Sequence, residues 1–131
     1  MVYLDSSVLL TQLRVEEVSP PVELWQESLV SSRLLEYETL TRIHAKGGTV
    51  VYGELAKELL RRVAILELVE PVVGRATEPF PVPLRTLDAL HLASMLFLRE
   101  QGVDVRLATY DRRLRKASEA LGFRSYPLGV P

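Results

Sequence analysis

Short apolar runs recur along this chain, and each has the length and composition of a β-strand buried in a sheet. Capping or turn residues follow several of them, such as Asp5, Ser6 and Ser7 after the first run. The predicted strands are residues 2–4, 28–31, 64–69, 105–109 and 123–126. We expect the run at 64–69 to be a buried strand.

Between these runs the apolar residues recur with the 3.6-residue period of a helix. Ser32 is a predicted N-cap for a helix that ends at Gly47, and Thr86 begins the strongest amphipathic stretch. For the helix near residue 52, the spacing predicts that Leu55, Leu59 and Val63 lie on one face. The predicted helices are an element from residue 8, then 22–27, the helix after Ser32, 52–62, 72–76, 86–99 and 112–121.

Strands and helices therefore alternate over the whole length. This order predicts an α/β fold with three layers, in which helices cover both faces of a central sheet of four or five mainly parallel strands. There is no internal repeat and no linker-like stretch, so residues 1–131 are expected to form a single domain.

Composition narrows the class of protein. The 131 residues are 47% hydrophobic and 25% charged, with no cysteine, which is typical of a globular protein in a reducing compartment. No basic leader and no uncharged run of membrane-spanning length occurs, so a cytoplasmic protein without a membrane partner is expected. A net charge of −1 excludes a global attraction for nucleic acid, so any RNA contact must be local.

Acidic residues stand at the junctions between the predicted elements. The chain has only four aspartates, and three of them, Asp5, Asp88 and Asp111, follow a strand or begin a helix. Ligands bind outside the carboxyl ends of parallel strands, so Asp5 and Asp111 should point into one crevice. Glu38 lies one turn after Leu34, at or beside the buried face of its helix.

Each of these residues also has a simpler explanation. Asp5 and Asp111 could be helix N-caps, and Asp88 could stabilise the positive end of a helix dipole. Glu38 could be a solvated helix residue like its neighbour Glu36. The coincidence of several acids at one predicted edge favours a functional site.

Carboxylates that share a crevice repel one another unless a cation compensates them. Oxygen ligands without cysteine or histidine select hard cations, and Mg²⁺ or Mn²⁺ suits a site that a phosphodiester completes. Next to Asp111, the basic residues Arg112, Arg113 and Arg115 form either a solvated helix face or a rim that contacts RNA phosphates.

Four segments contain the candidate acids together with their neighbours: residues 2–7 (VYLDSS), 32–38 (SRLLEYE), 84–93 (LRTLDALHLA) and 108–114 (ATYDRRL). These segments resemble the signature blocks of PIN domains, and most closely those of VapC-type toxins from toxin–antitoxin pairs. They occur in the family order and span nearly the whole chain. The third block is the most specific of the four.

The resemblance implies an Mg²⁺- or Mn²⁺-dependent endoribonuclease, an RNA substrate, an antitoxin partner and a homodimer. It implies a catalytic role for Asp5, Glu38, Asp88 and Asp111, with Asp5, Asp88 and Asp111 as metal ligands. Ser6 and Thr109 match supporting positions, and counting from Ser32 favours Glu38 over Glu36. His91 matches a packing and hydrogen-bonding residue.

Apolar side chains of the early helices (Leu9, Leu10, Leu13 and Trp25) are candidates for interfaces, or simply for the core.

Two other functions stay open at this point. A catalytically silent PIN domain would act as an RNA-binding or scaffolding module, but such a module has no need of all four acids. A phosphatase would use Asp5 as its nucleophile, but that class commonly has a second aspartate two residues later, where this chain has Ser7.

Overall fold

The structure is a computed structural model that describes residues 1–13 and 19–129, so the last two positions of the expected domain lie outside it. The strands are β1 Val2–Leu4, β2 Leu29–Ser32, β3 Val63–Leu66, β4 Arg106–Ala108 and β5 Arg124–Ser125. The helices are α1 Ser6–Leu13, α2 Arg33–Ala45, α3 Thr49–Leu60, α4 Glu70–Ala76, α5 Thr86–Glu100 and α6 Arg112–Ala120, with a 3₁₀ helix at Val22–Gln26. None of the helices in these ranges combines the length and the apolar character needed to cross a membrane.

The strands form one five-stranded parallel sheet in the order β3-β2-β1-β4-β5. The chain builds outward from β1 through β2 to β3, and then returns to the other side of β1 for β4 and β5. The boundary between β1 and β4 is therefore the point where the strand order reverses. In open parallel sheets such a boundary leaves a crevice beyond the carboxyl ends of the strands.

The side chains on the two faces of the sheet pack into two separate hydrophobic cores. Val2 and Leu4 of β1 pack with residues of α1, α2 and α3, whereas Tyr3 between them packs with residues of α5 and α6. Because successive side chains of a strand point to opposite faces, helices must cover both faces of the sheet. The predicted three-layer α/β/α fold is confirmed.

Two local predictions were wrong. The strand predicted at 64–69 is β3, which ends at Leu66 and lies at the edge of the sheet, with Ala64 exposed. An edge strand has one neighbour, so its apolar residues need not be buried on both sides. Helix α3 begins earlier than predicted, at Thr49, and buries Gly53, Ala56 and Leu60, while Leu55 is 53% exposed.

The early apolar residues that were candidates for interfaces lie within the fold. Leu9, Leu10 and Leu13 of α1 are buried. Trp25 is half-buried, and its indole N–H donates to Gln12 Oε1 at 3.2 Å. Core packing therefore accounts for these four side chains, and none of them is available as a free apolar surface.

Candidate functional site

All four predicted acids line one cavity of about 230 Å³. It opens beyond the carboxyl ends of β1 and β4, where the strand order reverses. Asp5 follows β1, and Asp111 follows β4 after two residues. Glu38 reaches the cavity from α2, and Asp88 from the first turn of α5. Parallel strands, two helix starts and one helix face thus converge on this point.

Asp5 is held by one of its two carboxylate oxygens. Its side chain is buried, and Oδ2 accepts hydrogen bonds from the hydroxyls of Ser7 at 2.7 Å and Thr109 at 2.8 Å. Among the described residues Oδ1 accepts no hydrogen bond, and its nearest cationic atom is His91 Nε2 at 3.9 Å. The buried carboxylate is therefore oriented through one oxygen and keeps the other for a ligand.

Glu38 is buried by the packing of α2. Ser32 caps this helix as predicted, since its hydroxyl accepts from Leu34 N at 3.2 Å. The helix then turns the Glu38 side chain inward, where Oε1 is 2.5 Å from His91 Nε2 and Oε2 receives a long contact of 3.5 Å from the Ser6 hydroxyl. Arg42 Nη2 lies 3.9 Å from Oε2.

Glu36 lies on a different face of the same helix. Its carboxylate pairs with Arg33 at 3.1 Å, is 45% exposed, and borders a separate cavity between α2 and α3. The geometry therefore brings Glu38, and not Glu36, together with Asp5.

His91 supports the buried acids from the centre of α5. It is fully buried, and its Nδ1 is 2.8 Å from the Tyr3 hydroxyl while Nε2 contacts Glu38. Burial alone would lower the pKa of this imidazole, but the Tyr3 oxygen and the carboxylates of Glu38 and Asp5 together raise it to about 10. The carboxylate of Glu38 therefore favours the protonated form of His91, with which it forms a buried pair.

Arg85 joins the two more exposed acids of the cavity. Its guanidinium donates to Asp111 Oδ2 at 2.7 Å and to Asp88 Oδ2 at 3.3 Å. Desolvation raises the pKa of Asp88, and so does the charge of Asp111, whereas Arg85 lowers it; the net shift is upward. The Asp88 carboxylate is therefore harder to ionise than a solvated one even with an arginine against it.

Asp111 also caps a helix, which is the simpler explanation of its position in the sequence. Its Oδ1 accepts from the backbone N–H groups of Arg113 at 2.9 Å and Leu114 at 3.3 Å, so it caps α6. Its Oδ2 faces the cavity. Capping and a place in the acidic site are therefore compatible, because they use different oxygens of one carboxylate.

A hydroxyl network ties the end of β1 to the end of β4. Thr109 Oγ1 donates to Asp5 and accepts from Asp111 N at 2.9 Å, while Ser7 Oγ donates to Asp5 and accepts from Tyr110 N at 3.0 Å. Thr109 therefore lies where the expected supporting residue should lie. Ser7 and Arg85 were missed by the sequence analysis, although Ser7 is the nearest hydroxyl after Asp5 and Arg85 is one helical turn before Asp88.

The basic cluster lies beside the cavity rather than in it. Arg112, Arg113 and Arg115 do not line the acidic cavity, whose arginines are Arg42 and Arg85. Arg112 and Arg115 line an adjoining cavity of about 310 Å³, and Arg113 lines neither. Of the three predicted RNA-binding residues, Arg112 and Arg115 therefore share a concave surface, and Arg113 lies outside it.

The donor set fits a hard divalent cation. Ligand atoms of Asp5, Glu38 and His91 lie within 4.8 Å of one another, but both nitrogens of His91 are already hydrogen-bonded, which makes it a poor metal ligand. The remaining donors are carboxylate oxygens. Among the described residues, Asp5 Oδ1 accepts no hydrogen bond, and Asp111 Oδ2 is paired only with Arg85. Such oxygen donors favour Mg²⁺, Mn²⁺ or Ca²⁺ over zinc.

Another, larger cavity lies elsewhere. It measures about 500 Å³ and lies between α4 and α5, where Arg75 pairs with Glu78 and stacks on Phe80. Its charged groups are solvated ones on helix surfaces, and it brings together no buried acids. Among the cavities described, it is therefore the smaller acidic one that gathers the predicted acids.

Known proteins resemble this chain over nearly its full length. The sequence pattern of the PIN domain matches residues 2–120. The ribonuclease VapC47 of Mycobacterium tuberculosis is 34% identical over 130 aligned residues, which cover 94% of this chain and 93% of the relative. Ribonucleases VapC46 and VapC35 of the same organism are 34% and 33% identical, and each alignment covers 92% of both proteins.

Proposed function

The chain belongs to the PIN-domain family and is an endoribonuclease, and from this premise we propose that it hydrolyses RNA with Mg²⁺ or Mn²⁺ at the acidic cavity. Asp5, Glu38, Asp88 and Asp111 are the proposed catalytic acids, and Asp5, Asp88 and Asp111 the proposed metal ligands. The observation that carries the proposal is the convergence of these four carboxylates in one cavity beyond β1 and β4. Gathering four acids in one cavity, two of them buried, is unfavourable without a cation.

The protein side chains would orient the reacting groups. A bound divalent cation would supply a Lewis acid that activates water and stabilises charge on the attacked phosphate. Ser7 and Thr109 fix the Asp5 carboxylate in one orientation, and Ser6 is a weaker support for Glu38. Because Asp5 and Asp111 are each anchored through one oxygen, their second oxygens meet a ligand without a loss of side-chain freedom.

Arg85 has two roles in this proposal. In the structure it is the counter-charge for Asp88 and Asp111. Its side chain is 62% exposed, so it can leave these acids for the phosphate of an RNA without disturbing the core. Arginine forms bidentate contacts with phosphate, which makes it suited to this second role.

The proposal includes the biology implied by the relatives. The relatives are named ribonucleases of the VapC type, and this chain would act likewise as a toxin, with RNA as substrate and an antitoxin protein as partner. We propose that it works in the cytoplasm as a homodimer, and that each copy is a single domain formed by residues 1–131.

Metal removal is the experiment that tests the proposed activity. RNA cleavage by the purified chain should stop in excess chelator, because the acids then lack their cation. Cleavage should return with Mg²⁺ or Mn²⁺ and only poorly with Zn²⁺, since the donors are oxygens. The readout is the rate of fragment formation from a labelled RNA.

A parallel assay with a phosphate monoester separates the phosphatase alternative. Endoribonuclease function requires cleavage within the RNA and no comparable release of phosphate from the monoester. Full activity on RNA in chelator would contradict the metal mechanism. RNA binding without cleavage under every metal condition would instead favour the catalytically silent module.

A further inference from the structure

A second cavity adjoins the acidic one along the start of α6. It measures about 310 Å³ and lies between α6 and the segment after β5, with Arg112, Arg115, Tyr110 and Tyr126 among its walls. Thr109 borders it, and the same threonine donates its hydroxyl to Asp5 at 2.8 Å. Asp111 lines the acidic cavity and the next residue, Arg112, lines this one. Residues of the one segment 109–112 therefore line both cavities.

The cations of this second cavity are not used by the fold. Six arginines of the described residues pair with a carboxylate within 4 Å, among them Arg106 with Glu27 and Arg124 with Asp104. Within residues 1–13 and 19–129, the guanidinium groups of Arg112 and Arg115 contact no carboxylate. They are three residues apart on α6 and so share one face of the helix. Two arginines side by side on a concave surface form a phosphate site.

An aromatic ring also lines the cavity. Tyr126 is half-buried, and its ring packs against Arg106, whose guanidinium carbon lies 5.0 Å from the ring centre. Backbone pairing of Tyr126 N with Leu107 O at 2.8 Å fixes the segment beside the sheet. Aromatic rings next to cations stack nucleobases with little sequence preference.

We propose that this second cavity is a subsite for the nucleotide next to the scissile phosphate. Arg112 and Arg115 hold its phosphate, and Tyr126 stacks on its base. The inference rests on the proposed function, because it assigns the scissile phosphate to the acidic cavity. It also divides the basic cluster, since Arg113 lies outside the subsite.

RNA binding in excess chelator tests the subsite without cleavage. A fluorescent RNA oligonucleotide is titrated with wild type, with the double variant Arg112→Ala/Arg115→Ala, and with Arg113→Ala as a control that removes one positive charge from a residue between them. The double variant should bind at least about tenfold more weakly and lower the slope of log affinity against log salt by about 2, one per lost phosphate contact. Arg113→Ala should lose less than half as much.

Tyr126 gives an independent readout. Tyr126→Leu should weaken RNA binding roughly tenfold through lost stacking, while Tyr126→Phe keeps the ring and should bind like wild type. Thermal unfolding of each variant confirms that the fold is intact. If Tyr126→Leu itself unfolds, the arginine comparison alone decides.

The results separate the subsite from the proposed activity. A loss from Arg113→Ala of half or more of the loss in the double variant would mean a diffuse charge effect and overturn the subsite. An unchanged affinity and slope in the double variant would overturn it too. Normal subsite behaviour in a protein that never cleaves RNA would instead contradict the proposed function alone.

Discussion

Asp5→Asn should lower the rate of RNA cleavage by about a thousandfold or more, the loss expected when an electrostatic group of the reacting centre is removed. Asparagine matches the shape of aspartate and can still accept from Ser7 and Thr109. It removes the negative charge of the oxygen that is left for a cation. The comparison is the turnover rate of wild type and variant at saturating RNA and metal.

The control for this prediction is Asp104→Asn. Asp104 is the one aspartate outside the acidic cavity; its side chain is 83% exposed and pairs with Arg124 at the surface. This variant should cleave RNA at the wild-type rate. Asp5→Asn should also fold as stably as wild type or slightly better, because repulsion among the acids is relieved. Retention of a tenth of the wild-type rate in Asp5→Asn would contradict the assigned role of this carboxylate.

His91→Ala should lower the free energy of unfolding by about 3–5 kcal/mol, which is the cost of breaking a buried charge pair by removing one partner. The change leaves the Glu38 carboxylate buried without its cation and the Tyr3 hydroxyl without a partner. The free energy of unfolding, measured by urea denaturation in chelator, gives the comparison. Chelator is needed because a bound cation would stabilise the native state by itself.

Two further variants identify the origin of the loss. His44→Ala removes an exposed histidine of α2 and should change the free energy of unfolding by less than about 0.5 kcal/mol. The double variant Glu38→Gln/His91→Ala should be more stable than His91→Ala alone, because no charge is then stranded. A loss below about 1 kcal/mol in His91→Ala would mean that the pair does little for the fold.

The fold class could be predicted because strand and helix periods alternate clearly along the chain. The placement of Asp5 and Asp111 at one edge followed from a general property of parallel sheets, which needs no knowledge of strand order. To predict that β3 lies at the edge of the sheet, the order of the strands must be known. Apolar runs of similar composition do not reveal that order. Helix α3 buries a stripe that includes Gly53 and Ala56, small residues that a hydrophobicity pattern under-weights.

The site was predictable to the extent that its residues are fixed by the backbone. Glu38 lies at a defined distance from the cap Ser32, so its inward direction follows from helix geometry. Arg85 contacts an aspartate 26 positions away through a long side chain, and such a contact depends on tertiary packing. Ser7 was recognised as a capping residue, but its bond to Asp5 required the actual turn after β1.

Direct titration of Mn²⁺ into the purified chain, without RNA, is the measurement that tests the central claim most directly. Wild type should bind Mn²⁺, and Asp5→Asn and Asp88→Asn should each weaken binding at least about tenfold, since each removes a charged oxygen ligand. Glu36→Gln, a change of an exposed acid on the far face of α2, should bind like wild type. Equal Mn²⁺ affinity in wild type, Asp5→Asn and Asp88→Asn would contradict the account, because the cation would then be held elsewhere on the protein.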